Sequence, residues 1–199
     1  MTHSRVTHSG VSGAGAKVPR VLVPLAPGFE EIEAVTIVDV LRRAGLDVVV
    51  AGLAAGPVRG SHGIEIATDA ALADVDGESF AMLVLPGGPG TRQLMADERV
   101  LALVRSFHAR GAPTAAICAA PLVLHAAGIV RGVTVTAHPS VRAELTEARV
   151  VDTPAVVRSG TVTTSQGAGT AFEFALALVT ELCGAAKADE LARAMVFRR

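Results

Sequence analysis

The stretch AAICAAP, residues 115–121, contains the pattern that decides the fold. A short run of small apolar residues ends at Cys118, and Pro121 then lies at the start of an apolar segment with helical character, APLVLHAAGI (120–129). We therefore predict a strand at 113–117, a sharp turn at Cys118 and a helix. Such a strand–turn–helix unit is typical of parallel α/β sheets, and it would hold the thiol at the carboxyl end of a strand.

From Val18 onward, apolar runs of strand length alternate with amphipathic runs of helical length. The predicted strands are 18–26, 47–53, 80–86 and 113–117, with others around VTVTAH (133–138) and AVVRSGTVTTS (155–165), and the predicted helices are 30–45, 91–111, 120–129, 169–184 and 187–196. Residues 56–70 alternate in polarity and contain three glycines, which favours a short antiparallel hairpin. This order predicts a three-layer α/β sandwich, in which helices cover both faces of a mainly parallel central sheet.

The size and composition of the chain fit a single domain. Of its 199 residues, 50% are hydrophobic and 19% are charged, which suits a chain that buries a sizeable core. The first 17 residues are rich in Ser, Gly, Thr and His and have no periodicity. We therefore predict a flexible tail at 1–17, followed by one domain at 18–199.

Charge and apolar patterning exclude several kinds of partner. The net charge is −1, the charged residues are scattered, and Trp and Tyr are absent, so we expect no binding of nucleic acid. No apolar run reaches the roughly 18 residues of a membrane span, and the opening residues lack the apolar centre of a signal peptide. We accordingly expect a cytoplasmic protein that does not associate with membranes.

The two cysteines of the chain, Cys118 and Cys183, are too few for a disulfide framework. Neither lies in a spacing typical of zinc sites, so we expect no metal. Cys183 ends an apolar helix, which indicates core packing. Cys118 has two interpretations: it is a small buried hydrophobe, or it is a thiol that a strained turn lifts into a cleft, where helical N–H groups would stabilise the thiolate.

Other candidate residues lie in the loops that follow predicted strands, where ligands of parallel α/β sheets bind. The turn PGG (86–88) offers backbone amides for an oxyanion, although the same tripeptide is typical of an ordinary turn. His138 ends a strand at the same edge, where it could orient or deprotonate the thiol. Glu30, Glu31 and Glu33 crowd the first turn of a helix. The helix dipole alone explains them there, and periodicity does not say which one points inward.

Six motifs carry a resemblance to a known family. They are PGFEEIE (27–33), AGL (51–53), LPGG (85–88), AAICAAP (115–121), TAHP (136–139) and SQGAGTAFEFAL (165–176). Over about residues 21–182 the chain resembles the ThiJ/PfpI superfamily of class I glutamine amidotransferase-like domains, and within it the parkinsonism-associated protein deglycase (DJ-one) branch and its bacterial relatives. The resemblance implies a flavodoxin-like α/β sandwich, a homodimer and no cofactor. One departure is Ala120, where relatives often carry glycine; its methyl group would alter the turn slightly.

The resemblance also implies roles for individual residues. Cys118 matches the family's nucleophile, Glu33 its acidic partner and His138 its histidine. The amides of Gly88 and Ala119 match its oxyanion-stabilising groups. Because an ionised carboxylate would repel a thiolate, we expect Glu33 to hold a proton and to donate a hydrogen bond to the sulfur of an acidic thiol.

These implied roles favour a cofactor-independent, cysteine-dependent glyoxalase III or deglycase. Its substrates would be small reactive aldehydes such as methylglyoxal and glyoxal, or glycated groups in their early protein adducts. One alternative is a redox-responsive stress sensor or chaperone in which Cys118 is oxidised. A third hypothesis is chemistry like that of a cysteine peptidase or amidotransferase, which needs an acid such as Asp39 to orient His138 within one subunit or across two.

The helix predicted at 30–45 bears on assembly, because it carries two sets of apolar residues. The first set is Ile32, Val35 and Leu41, and the second is Ile37, Val38 and Val40. We expect the first set to face the core. The second favours a dimer interface, and it fits full burial within one subunit equally well.

Overall fold

The computed structural model of the protein describes residues 18–198. The predicted tail at 1–17 lies outside the described residues. The strands are β1 (Arg20–Leu25), β2 (Asp47–Gly52), β3 (Val58–Arg59), β4 (Glu65–Ile66), β5 (Ala70–Ala71), β6 (Met82–Leu85), β7 (Thr114–Ile117), β8 (Thr134–Val135), β9 (Arg149–Val150), β10 (Val156–Ser159) and β11 (Val162–Ser165). The helices are α1 (Glu31–Arg43), α2 (Thr91–Ala96), α3 (Glu98–Ala109), α4 (Pro121–Ala126), α5 (Ala171–Cys183) and α6 (Ala185–Ala194).

The central sheet contains seven strands in the order β10-β11-β7-β6-β1-β2-β5. Its neighbouring strands run parallel except for β10 and β11, which are antiparallel. Two short pairs lie outside this sheet: β3 with β4, antiparallel, and β8 with β9, parallel. The predicted mainly parallel sheet and the hairpin within 56–70 are therefore confirmed.

Two hydrophobic cores, one on each face of the sheet, produce the three layers. On β1, Val21 and Val23 pack with helices α1, α5 and α6, whereas Leu22 between them packs with α2, α3 and α4. All three side chains are fully buried, because successive residues of a strand point to opposite faces and both faces are covered. This double burial explains why the first strand is a continuous apolar run rather than an alternating one.

Two expectations about helices are wrong. The helix predicted at 91–111 is broken at Asp97, which has extended backbone and caps α3 by accepting a hydrogen bond from Arg99 N at 2.9 Å. Cys183 is exposed, because it is the last residue of α5 and lies beyond Val179, the last buried residue of that helix. Within residues 18–198, none of the helices combines the length and the apolar character needed to cross a bilayer.

The buried face of α1 also differs from the predicted one. Ile37, Val40 and Leu41 are fully buried, whereas Ile32 and Val35 are 57% and 49% exposed. The helix packs against α5 as well as against the sheet, so its buried arc joins Leu41 of the first apolar set to Ile37 and Val40 of the second. The start of α1 therefore presents apolar side chains to solvent.

Glu31 is a buried carboxylate that joins α1 to the β3–β4 hairpin. Its oxygens accept hydrogen bonds from His62 N at 2.6 Å and from Ser61 Oγ at 3.0 Å, and His62 Nδ1 lies 3.1 Å away. Burial by itself would raise the pKa of Glu31, but the hydrogen bonds from His62 and Ser61 outweigh it and lower the pKa to about 2. The fold therefore stabilises the ionised form of this side chain.

Glu31→Gln is expected to lower the free energy of unfolding by about 2 kcal/mol at neutral pH, because an amide replaces the acceptor of charge-assisted hydrogen bonds. The pKa of Glu31 in the folded state lies below its ordinary value of 4.5, so this stabilisation is complete above that pH and is lost as the pH falls toward 2. Urea denaturation across this range measures the difference. Glu65→Gln, at an exposed position of the same hairpin, is the control and should change stability by less than about 0.5 kcal/mol. A deficit in Glu31→Gln that is undiminished at the acid end of the range would contradict the prediction.

Candidate active site

Three adjoining strands of the central sheet end at one edge and carry the candidate residues there. β7 leads into Cys118, β6 leads into Gly87 and Gly88, and β1 leads through 26–30 into α1, which carries Glu33. Since the three strands are parallel and lie in the order β7, β6, β1, their carboxyl ends are side by side. The structure thus brings together residues that are far apart along the chain.

Cys118 occupies a strained turn between β7 and α4. Its φ of 63° lies in the left-handed region, which residues other than glycine rarely adopt. Backbone hydrogen bonds hold the turn: Cys118 N donates to Ser165 O at 3.0 Å, and His138 N donates to Cys118 O at 2.8 Å. Ala120 has an ordinary helical φ of −63°, so an alanine there adds no backbone strain.

The three glutamates at the start of α1 have three different sets of contacts. Glu30 caps the helix by accepting a hydrogen bond from Glu33 N at 2.7 Å, and Glu31 binds the hairpin. Glu33 is fully buried, and its Oε2 accepts a hydrogen bond from Gly87 N at 2.8 Å. Its carboxyl group also lies within hydrogen-bonding reach of the Cys118 thiol. The inward-facing glutamate that periodicity left open is therefore Glu33.

Gly87 permits the close approach of Glu33 and Cys118. A Cβ atom at position 87 would lie 2.6 Å from Cys118 Cβ and 2.8 Å from Glu33 Oε2, so any side chain there would push the two groups apart. The other carboxyl oxygen, Glu33 Oε1, is buried and has no partner in good hydrogen-bond geometry among residues 18–198, which leaves it available to the neighbouring thiol. Sequence analysis singled out the turn PGG (86–88) and assigned a role to Gly88; the contacts of Gly87 with Glu33 and Cys118 were not assigned, because they exist only between neighbouring strands.

Burial controls the protonation of this pair. It raises the pKa of Glu33 to about 7, against the opposing hydrogen bonds from Gly87 N–H and from the thiol. Burial and the charge of Glu33 raise the pKa of the Cys118 thiol to about 12, although the amides of Gly88 and Ala119 donate to the sulfur and oppose the rise. Burial thus acts against the expected acidic thiol, and it favours the expected protonated form of Glu33. Because the two groups lie within hydrogen-bonding reach of each other, they titrate as a coupled pair.

His138 lies beside Cys118, but its side chain binds Ser140. Ser140 N donates to His138 Nδ1 at 3.3 Å, and Ser140 Oγ lies 2.8 Å from the same atom. Within residues 18–198, the His138 ring makes no hydrogen bond to the sulfur. Gly167 lies between the ring and the acid: a Cβ there would be 3.5 Å from His138 Cδ2 and 4.0 Å from Glu33 Oε1. The role of His138 as base or orienting group for the thiol does not follow from this geometry.

Asp39, the acid considered as a partner of His138, lies elsewhere. It forms an ion pair with Arg43 at 2.7 Å, one turn further along α1. His138 Nδ1 is occupied by Ser140, and no carboxylate among residues 18–198 pairs with the ring. Within one subunit, the described residues therefore lack the histidine–acid pair on which peptidase triads depend.

Cys118 opens into a cavity of about 310 Å³. Its walls include Gly88, Pro89, Ala119, His138, Ser140 and Val141. At its edge Arg92 forms a bidentate ion pair with Glu144, with N–O distances of 2.8 and 2.7 Å. Sequence analysis missed Arg92, Glu144 and Ser140. The one available signal was that Ser140 directly follows the motif TAHP.

One cluster of possible metal ligands exists among the described residues. The carboxylates of Glu30 and Glu31 and the ring of His62 place three ligand atoms within 4.8 Å of one another. The Glu30 carboxylate already accepts from Glu33 N at the start of α1, and the Glu31 carboxylate already contacts the backbone and ring of His62 in the hairpin. Their geometry is explained without an ion.

The fold and the site define an α/β sandwich protein with a cysteine at a strand-to-helix turn, next to a buried glutamate. The chain belongs to the DJ-1/PfpI family, whose model matches residues 19–181. The resemblance carried by the six motifs is thereby confirmed.

Relatives in this family match most of the chain. Glutathione-independent glyoxalase DJR-1.2 of Caenorhabditis elegans is 39% identical, and the match covers 94% of this chain and 100% of the relative. The crystal structure of Drosophila melanogaster DJ-1beta matches with a TM-score of 0.89 at 41% identity, covering 92% of this chain and 100% of that one. The structure of oxidized Toxoplasma gondii DJ-1 matches with a TM-score of 0.86 at 34% identity and the same coverage. The predicted flavodoxin-like sandwich is confirmed.

Proposed function

We propose that the protein is a cofactor-independent glyoxalase that converts 2-oxoaldehydes such as methylglyoxal and glyoxal into 2-hydroxy acids, and that it releases these aldehydes from early protein adducts as a deglycase. The observation that carries this proposal is the buried Glu33 carboxyl group, which lies within hydrogen-bonding reach of the Cys118 thiol beside a cavity of small-molecule size. The name of the C. elegans relative, a glutathione-independent glyoxalase, supports it.

In the first step, the Cys118 sulfur bonds to the aldehyde carbon while the Glu33 carboxylate accepts the thiol proton. A thiol with a raised pKa needs such a base, and a carboxyl group with a pKa of about 7 is half ionised near neutral pH. The amides of Gly88 and Ala119 already point toward the sulfur, so they are placed to stabilise the oxyanion that forms on the adjacent carbon. Glu33 then passes its proton to that oxyanion, which completes a hemithioacetal.

In the second step, Glu33 moves a proton between two carbons. It removes the hydrogen of the carbon bonded to sulfur, and it returns a proton to the neighbouring carbon through an enediol. One carbon is oxidised to a thioester while its neighbour is reduced to an alcohol, so the step needs no external redox partner. Water then hydrolyses the thioester, which releases the 2-hydroxy acid and restores the thiol.

Incubation of the purified protein with methylglyoxal in the absence of glutathione tests this function. Proton NMR should show loss of methylglyoxal with an equal gain of lactate. A second arm supplies a methylglyoxal–peptide adduct from which unreacted methylglyoxal has been removed. An aldehyde scavenger in this arm captures any aldehyde that the adduct releases by itself, so that direct deglycation is distinguished from clearance of released aldehyde. Absence of lactate from both substrates would overturn the proposal.

A second candidate function is redox sensing through Cys118. The solved structure of an oxidized relative from Toxoplasma gondii favours it, as does a carboxyl group placed to hydrogen-bond an oxidised sulfur. Two equivalents of peroxide would convert the thiol to a sulfinic acid and release two waters. Intact-mass analysis after mild peroxide treatment should show two added oxygens on Cys118. Such a gain without aldehyde turnover would favour sensing over catalysis.

We also propose that the chain forms a homodimer through the exposed start of α1. Ile32 and Val35 there, and Ile64 of the adjoining hairpin, are each about half exposed. Ile64 N lies 3.4 Å from Glu31 Oε1, which places the hairpin against the start of the helix. Apolar side chains grouped in this way favour contact with another protein surface.

Light scattering coupled to size-exclusion chromatography should give twice the chain mass of 20.3 kDa at micromolar concentration. Ile32→Glu combined with Val35→Glu is expected to shift the protein to a monomer, because each buried charge opposes association. Val196→Glu replaces an apolar residue that is 76% exposed at the far end of the chain, and it should leave the mass unchanged. A monomeric wild-type protein would exclude this interface.

A further inference from the structure

The imidazole of His138 has a defined hydrogen-bonding direction. The residue precedes a 3-10 helix, Pro139–Glu144, whose first amides have no acceptor within the helix. Ser140 N therefore donates to His138 Nδ1, and Ser140 Oγ lies 2.8 Å from that atom. An N–H group directed at Nδ1 favours a lone pair there, but this amide contact is long. The nearer Ser140 hydroxyl, which can donate to the same lone pair, therefore carries most of the preference for a neutral ring with its proton on Nε2.

The ring is also fixed in place at the cavity wall. His138 N donates to Cys118 O at 2.8 Å, and Val141 N donates to His138 O at 3.0 Å, so the backbone on both sides is held. Cδ2, the ring atom bonded to Nε2, lies on the side of Gly167 and Glu33. The protonated nitrogen is thus adjacent to the ring edge that is nearest the acid, whereas the lone pair of Nδ1 is directed to Ser140.

We propose that Ser140 is a positioning residue that holds His138 in its Nε2–H tautomer, so that His138 donates a hydrogen bond to an oxygen of the bound substrate and does not accept the thiol proton. The substrate in this proposal is the 2-oxoaldehyde of the proposed function. Such a molecule has two oxygens. The amides of Gly88 and Ala119 would hold one, and His138 supplies a donor for the other.

Nitrogen-15 NMR of the His138 side chain in the full-length protein reports the tautomer without any substrate. At alkaline pH the wild-type protein should show an unprotonated Nδ1 and a protonated Nε2. Ser140→Ala loses the shorter of the two contacts to Nδ1 and should show a mixture of tautomers, whereas Ser140→Thr keeps the hydroxyl and the wild-type spectrum. A protonated Nδ1 in the wild-type protein, or an unchanged spectrum in Ser140→Ala, would overturn the proposal.

Methylglyoxal turnover tests the consequence for catalysis. Ser140→Ala is expected to lower kcat/KM about fivefold, and Ser140→Thr should stay within about twofold of wild type. A matched pair at position 138 separates the two ring nitrogens: the amide nitrogen of His138→Gln reaches the region of Nε2, whereas that of His138→Asn lies near Nδ1. The Gln variant should retain the higher activity, and the reverse order would refute the donor role. If the wild-type protein consumes no aldehyde, the proposed function fails, and the NMR spectra still decide the tautomer.

Discussion

Cys118→Ser is expected to abolish methylglyoxal consumption, with kcat/KM at least about 10³-fold below wild type. A serine hydroxyl is a much weaker acid than a thiol, so a carboxylate with a pKa of about 7 is too weak a base to activate it. The oxygen is also smaller than sulfur and would sit further from the substrate carbon. Lactate formation measured under single-turnover conditions detects residual activity over this range.

The other cysteine provides the control for this variant. Cys183 is exposed at the end of α5, so Cys183→Ser should retain full activity and stability. Thermal unfolding of Cys118→Ser separates loss of the nucleophile from loss of the fold. Lactate formation in Cys118→Ser within about tenfold of wild type would show that the sulfur is not the nucleophile. Equal losses in both variants would point to a general effect of thiol removal.

Glu33→Gln is expected to lower kcat about 10²- to 10³-fold, because the amide neither accepts the thiol proton nor carries a proton between carbons. The pH profile separates this role from a structural one. In the wild-type protein kcat/KM should rise with pH and level off above about pH 7, as Glu33 loses its proton. The variant should lack this rise. Glu30→Gln, which changes the neighbouring helix cap, is the control: it should keep most of the activity and still show the rise, displaced to lower pH because the charge of Glu30 contributes to the raised pKa of Glu33.

Glu33→Gln is also expected to be more stable than the wild-type protein. The pKa of Glu33 is raised from 4.5 in the unfolded chain to about 7 in the folded protein, so the folded state binds the proton more tightly. Wild-type stability therefore falls as the pH rises from 4.5 to about 7, by roughly 3 kcal/mol for a shift of this size. A neutral amide is free of this cost, so Glu33→Gln should gain stability above pH 7 and little below pH 4.5. Urea denaturation at both ends of this range measures the gain, and a variant less stable than wild type at alkaline pH would contradict it.

Much of the fold was predictable because it depends on local patterns. The run VPRVLVPLA has the continuous apolar character of a strand covered on both faces, and Val21 to Val23 are fully buried. Glycines and polar residues marked the hairpin within 56–70. The break at Asp97 was missed, since a single capping side chain interrupted a pattern that was otherwise helical. The orientation of α1 was missed for a different reason: its buried arc depends on contact with α5, more than 120 residues away along the chain.

In the candidate site, too, local features were predictable from the sequence and features that depend on distant contacts were not. The position of Cys118 in a strand-to-helix turn follows from neighbours within a few residues, and its φ of 63° agrees with that reading. Its acidity does not follow from those neighbours. The N–H groups of Gly88 and Ala119 do donate to the sulfur as expected, yet burial and the charge of Glu33 outweigh them and raise the pKa of the thiol to about 12. For this reason the proposed mechanism gives Glu33, which the sequence led us to expect as a donor to the sulfur, the role of proton acceptor.

The sequence by itself determined the order of strands and helices, the family and the edge of the sheet at which chemistry is expected, because periodicity and turn residues act over short separations. Only the tertiary structure decided that Glu33 and Cys118 approach each other beside Gly87, which has no side chain to keep them apart. Only the structure, likewise, showed that Ser140 contacts His138 Nδ1, and which apolar residues of α1 remain exposed. The Ser140 contact is set by the 3-10 turn that follows His138, whereas the other two features depend on contacts between elements distant along the chain. Desolvation and hydrogen-bond direction depend on such contacts, and no local pattern encodes them.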